Sequence, residues 1–157
     1  MNYMDIKKED LNNGDGIRAS LWVSGCPHRC KGCHNSVAWD YRAGKEFTEE
    51  TYLELKEAVL RAGNQLSILG GEPLAPCNYD TVYAIVLRLR EEIHDLNVWL
   101  WTGYIEDELI AEDRADILGE LDVVIFGRFI MDQKSTKKKW RGSLNQKMWV
   151  RGMGYVD

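Results

Sequence analysis

The chain has 157 residues, enough for one domain with its own core and too few for two. Its 45% hydrophobic and 29% charged residues predict a soluble globular protein, and a net charge of -5 argues against a general nucleic-acid footprint. No apolar run reaches the roughly 18 residues of a membrane helix, and the acidic start, with no apolar segment behind it, does not read as a signal peptide.

In chain order, Asn13-Gly14-Asp15-Gly16-Ile17-Arg18 leads into an apolar run, Ile17 to Val23, that reads as a buried strand. Cys26, Cys30 and Cys33 follow at its C-terminal end with the spacing Cys-x3-Cys-x2-Cys. Three soft thiolates this close together can grip one metal centre. Ferredoxin clusters use four cysteines at tighter spacing, and structural zinc sites repeat paired Cys or His ligands that this chain lacks. Gly25 and Gly32 give the loop freedom to wrap a bulky group. Neither His28 nor His34 is needed as a ligand, and His28 is expected to be a solvated loop residue. Four cysteines without a secretion signal imply thiols kept reduced in a cytosol. The fourth, Cys77, falls outside the triplet and reads as an ordinary loop residue.

Thr48 is a plausible N-cap, with Glu49 and Glu50 beside the positive helix end. Tyr52, Leu55, Val59 and Ala62 then recur at helical spacing up to Gly63, a natural stop. Leu66 to Leu69 is another short apolar run, ending in Gly70-Gly71-Glu72-Pro73. Tyr79, Val82, Tyr83, Val86 and Ile93 fit one face of a second helix. Val98 to Trp101 and Val123 to Phe126 read as strands apolar on both faces, as parallel strands covered by helices are. Alternating strands and helices imply an α/β architecture with right-handed crossovers. Ligands then gather at the strands' C-terminal ends, where the cysteine loop, Gly-Gly-Glu and Thr102-Gly103-Tyr104 all fall. Trp22 and Trp99 or Trp101 are expected in the core, Trp140 and Trp149 on a docking surface, and Lys134 to Lys139 in a solvated loop. The chain is expected to be a single domain spanning 1–157, with about 147–157 a tail without assigned order.

The cysteine triplet after the first strand and Gly-Gly-Glu after the second resemble the radical S-adenosylmethionine (SAM) enzymes. Asn13 to Arg18, Trp99-Leu100-Trp101-Thr102-Gly103-Tyr104 and Trp140-Arg141-Gly142-Ser143-Leu144-Asn145-Gln146 narrow the resemblance. From about Asn2 to about Gln146 the chain is similar to the family that activates anaerobic (class III) ribonucleotide reductase. The resemblance implies a small open partial (β/α) barrel of the radical SAM type. It implies a [4Fe-4S] cluster on Cys26, Cys30 and Cys33, with one iron open to SAM. Gly32, Cys33 and His34 would lie against SAM, Gly70 and Gly71 against its methionine part, and Glu72 at its ammonium. His34 stands where the family more often has tyrosine. Phe126 and Arg128 stand where it usually has the acid and the lysine of Asp-Gly-Lys, and Arg128 keeps the positive charge.

The implied reaction is reductive cleavage of SAM to a 5′-deoxyadenosyl radical, with no side chain acting as acid or base. The implied protein substrate is the large subunit of anaerobic ribonucleotide reductase, on which a glycyl radical is made. A flavodoxin would supply the electron, in the cytoplasm, with no nucleic acid or membrane involved. Three rival readings are an activase of another glycyl-radical enzyme, such as pyruvate formate-lyase, a radical SAM enzyme acting on a small molecule, such as a deazapurine synthase, and a non-catalytic zinc- or Fe-S-binding interaction module. The terminal Arg151-Gly152-Met153-Gly154-Tyr155 echoes the Arg-x-x-Gly-Tyr loop on which glycyl radicals are made, and suggests a tail that mimics the substrate.

Overall fold

The computed structural model describes all 157 residues. Strands β1 (Asn2–Asp10) and β2 (Arg18–Val23) form an antiparallel pair, and the two-residue β3 (Lys45–Glu46) adds to the outer side of β1. Helix α1 (Glu49–Arg61) leads to β4 (Gln65–Gly70), α2 (Tyr79–Glu92) to β5 (Asn97–Thr102), and α3 (Glu106–Ala111) to β6 (Val123–Phe126). Strands β7 (Lys147–Val150) and β8 (Gly154–Val156) close the chain as an antiparallel hairpin. All eight strands join one open sheet in the order β3-β1-β2-β4-β5-β6-β7-β8. Its centre, β2-β4-β5-β6, is parallel.

Local chemistry explains the helix ends. The Thr48 hydroxyl accepts from the Thr51 N–H, and Thr51 returns a bond to the Thr48 N–H, so the start of α1 is capped reciprocally. The helix stops at Gly63, whose φ of +68° suits a residue without Cβ. Ile93, expected on the face of α2, lies just past its end in extended backbone and is still buried.

The parallel strands advance without reversal, so right-handed crossovers stack the helices on one face. Residues of alternating register confirm the face: Leu21, Val23, Leu66, Ile68, Val98, Leu100, Val124 and Phe126 share one core with Leu55, Val59, Val82, Val86, Leu89 and Leu109 from the helices. The opposite register carries Trp22, Leu69, Trp99, Trp101 and Ile125. That face was expected under helices as well. It carries instead a small cluster around Trp99, Val123 and Ile125, packed by Trp101, Trp140, Met148 and Val150. Two layers rather than three leave one side of the sheet open at its C-terminal edge.

Residues 147–157 are built into the sheet. Trp149 stands opposite Val124 on β6 and packs half-buried against the main core, in a strand rather than a free tail. A strand of four residues between a polar loop and a glycine-rich turn carries too short an alternation to stand out. Tyr155 lies on β8, its hydroxyl donating to Glu106 at 2.9 Å and its ring beside Phe126.

The N-terminal ends of the strands are tied by Arg18, which is 1% exposed and has no carboxylate partner. Its guanidinium donates to Ser67 Oγ, the side chains of Gln65 and Asn97, and the carbonyls of Asp15, Leu66 and Asn97. Three strands are thus cross-linked by one side chain at the end away from the cysteines.

Candidate active site

A cavity of about 290 Å³ opens at the C-terminal ends of β2, β4, β5 and β6. Its floor is the aromatic face of the sheet, with Trp22, Leu69 and Trp101. One wall is the cysteine loop, with Cys26, His28, Cys30, Cys33 and His34; another is Gly70-Gly71-Glu72. The segments Gly127–Phe129 and Trp140–Gln146 supply the far side. Positions up to more than a hundred residues apart meet because every parallel strand ends at the same edge.

Each cysteine sulfur faces a backbone N–H. His28 and Arg29 direct theirs at Cys26, Phe129 at Cys30, and Asn35 at Cys33 at 3.4 Å. Burial pushes the Cys26 thiol up to about 11 and raises that of Cys30 as well. Thiols held protonated this way must release protons when they take up metal. No three Cys, His, Asp or Glu side chains converge tightly enough to hold a single metal ion. The thiols are spread along the wall of one cavity, with N–H groups aimed at their sulfurs, a donor set that fits an iron–sulfur cluster. Cys77 is exposed and does not line the cavity.

Close backbone approach explains the glycine pair. Gly70 has φ of +123°, and a Cβ on Gly71 would run into the carbonyl of Gly25, at the root of the cysteine loop. The Glu72 N–H donates to that same carbonyl at 2.6 Å. Gly32 does not line the cavity. It packs against Met131, at the outer side of the loop.

Glu72 is 1% exposed and fully engaged. Its carboxylate accepts from the Gly103 N–H at 2.6 Å, the Leu74 N–H at 2.8 Å, the Thr102 hydroxyl at 2.8 Å and His28 Nε2 at 2.8 Å. The expectation of a solvated His28 fails: its side chain is 5% exposed and stands edge-on to Tyr104. The partner acid is 44 residues away, and no local pattern connects the two.

Arg128 lines the cavity but is already paired, both guanidinium N–H groups meeting Glu108 at 2.7 and 2.9 Å. The Arg128 guanidinium holds the Glu108 carboxyl down at about 2. Phe126, in place of an acid, is buried in the main core. Trp140, expected on a docking surface, turns inward: its ring stands edge-on to Trp99 at 5.6 Å and it lines the cavity. Thr102 and Gly103 line the cavity at a strand end where ligands were expected to gather, whereas Gln146 and the tryptophans of the floor were legible only as motif residues or core, and nothing in the sequence marks those as cavity wall.

An open α/β sheet with three cysteines along the wall of one cavity has the donor set of an iron–sulfur protein, and the family comparison gives that class. Residues 12–149 match the family model of a 4Fe-4S single cluster domain. Over 150 residues the chain is 41% identical to the anaerobic ribonucleoside-triphosphate reductase-activating protein of Haemophilus influenzae, covering 93% of this chain and 96% of that one. The proteins of that name from Escherichia coli, 36% identical over 93% of this chain and 96% of the relative, and from Enterobacteria phage T4, 37% identical over 95% and 94%, match along the same length. This chain belongs to the anaerobic ribonucleoside-triphosphate reductase-activating protein family.

Proposed function

We propose that the protein activates an anaerobic ribonucleoside-triphosphate reductase by making a glycyl radical on its large subunit. The observation that carries the proposal is the meeting of Cys26, Cys30 and Cys33 with Gly70-Gly71-Glu72 around one cavity at the parallel strand ends. When bound, the [4Fe-4S] cluster supplies one electron to S-adenosylmethionine, whose C–S bond breaks to methionine and a 5′-deoxyadenosyl radical that takes a hydrogen atom from the partner's glycine. A small open partial barrel of the radical SAM type is the fold reading that goes with this chemistry.

The residues have separate tasks. Cys26, Cys30 and Cys33 would hold the cluster, and the N–H groups aimed at their sulfurs would stabilise the added negative charge. The backbone of Gly70 and Gly71 meets the methionine part of SAM, and Cys33 and His34, with Gly32 beside them, meet the rest. Glu72 sets the negative field at the ammonium, and Arg128, neutralised by Glu108, shapes the far wall. The aromatic floor excludes water from the reacting atoms. No side chain needs to move a proton. A flavodoxin in the cytoplasm is the proposed electron donor. The sheet face without helices leaves the cavity open toward a protein substrate rather than closed over a small one.

Anaerobic reconstitution with iron and sulfide, followed by dithionite and SAM, tests the reading. We expect 5′-deoxyadenosine from the wild type and none from Cys30→Ala. Adding the reductase large subunit should then yield a glycyl-radical doublet in its electron paramagnetic resonance spectrum. A cluster-loaded protein that leaves SAM intact would overturn the proposal.

A further inference from the structure

We propose that His28 is a positioning residue that pegs the cysteine loop to the sheet through Glu72. The inference rests on the reading of Cys26, Cys30 and Cys33 as cluster ligands, and adds how the loop that carries them is held. The arch Pro27–His34 makes no backbone hydrogen bond to the rest of the chain; its one backbone bond, Cys33 N–H to Cys30 C=O, is internal. Its feet are fixed, since the Gly25 N–H donates to Ala38 and the Cys26 N–H to Trp39. Between the feet, the polar ties outward are the His28–Glu72 bond and the contact of the Phe129 N–H with the Cys30 sulfur. The second of these involves a proposed ligand itself. The first does not.

Chemistry fixes the direction of the bond. Leu74 and Gly103 offer backbone N–H groups, which only donate, and the buried Glu72 carboxylate accepts both. His28 therefore donates from Nε2. Glu72 is held by β5 through Thr102 and Gly103 and by its own loop through Leu74, so it is a fixed point before the histidine arrives. A separate observation agrees. A Cβ added to Gly103 would sit 2.5 Å from the His28 ring, so the glycine leaves the space that the peg occupies. The Tyr104 ring closes the other side of the imidazole at 4.5 Å between centroids.

The loop's freedom is readable in the metal-free protein by the rate at which iodoacetamide labels each cysteine. Exposed Cys77 serves as the internal reference. Losing a hydrogen bond to a buried charge should speed labelling of Cys30 and Cys33 in His28→Ala by about tenfold relative to Cys77. His28→Gln, whose amide can present a donor near the same point, should stay close to wild type. Gly103→Ala, which keeps its N–H but crowds the ring, should behave like His28→Ala. After reconstitution, iron release to a chelator should follow the same order. Unchanged labelling in His28→Ala, or a His28→Gln no better than alanine, would overturn the peg. Failure of the wild type to take up iron would overturn the cluster reading alone, since the labelling arm needs no metal.

Discussion

The indole N–H of Trp101 donates to the main-chain carbonyl of Trp140 at 2.9 Å, joining the end of β5 to the Trp-Arg-Gly-Ser loop. Trp140 sits at φ of +66°, where a side chain is strained, and the bond helps to hold it there. Trp101→Phe keeps an aromatic side chain, though a smaller one, and removes the donor. It should cost about 1 kcal/mol in urea unfolding. SAM affinity should fall with it, because the loop it anchors forms the far side of the cavity; equilibrium binding of labelled SAM checks this.

The Glu108–Arg128 pair predicts an acid limb of stability. Glu108's carboxyl is held at about 2 in the folded protein, against an ordinary value of 4.5. A carboxylate lowered by folding stabilises fully above its ordinary value, and that contribution disappears as pH falls from about 4.5 toward about 2. Thermal midpoints of wild type and Glu108→Gln should therefore converge across that window and stay apart at neutral pH. Parallel curves throughout would show that the pair adds nothing.

Arg18 should be the most sensitive position remote from the cavity. Arg18→Met leaves the Ser67, Leu66 and Asn97 oxygens without their donor in a site closed to water. Unfolding in urea should be easier by roughly 3 kcal/mol. A loss under about 1 kcal/mol would mean that water or a local shift replaces the guanidinium.

Gly71→Ala should fail differently from Arg18→Met. The added methyl meets the Gly25 carbonyl, backbone at the root of the cysteine loop, and cannot be relieved by a rotamer change. We expect a folded protein by circular dichroism that binds substoichiometric iron after reconstitution. Full iron loading would show that the loop root yields freely.

Thr48→Ala tests the capping reading alone. The change removes the Thr48 hydroxyl that accepts from the Thr51 N–H and leaves the Thr48 N–H bonded to Thr51 Oγ, so the loss should be about 1 kcal/mol, read by urea unfolding, with iron uptake unchanged.

Local signals carried much of this protein. The Cys26–Cys33 spacing, the caps at Thr48 and Gly63, and the runs at Ile17–Val23, Leu66–Leu69 and Val123–Phe126 depend on neighbours along the chain, and a sequence displays neighbours directly. The parallel direction of the central strands also follows from strand–helix alternation, whereas their order without reversal, which leaves one face bare, does not. Tertiary structure decided what depends on distant partners. His28 became a buried donor because Glu72 is brought to it; Arg128 became half of an ion pair because α3 presents Glu108; Trp140 turned inward because Trp101 offers a donor. The hairpin of β7 and β8 exists because β6 supplies an edge. A side chain's type constrains which bonds it can make, but only the fold determines which partners come within reach.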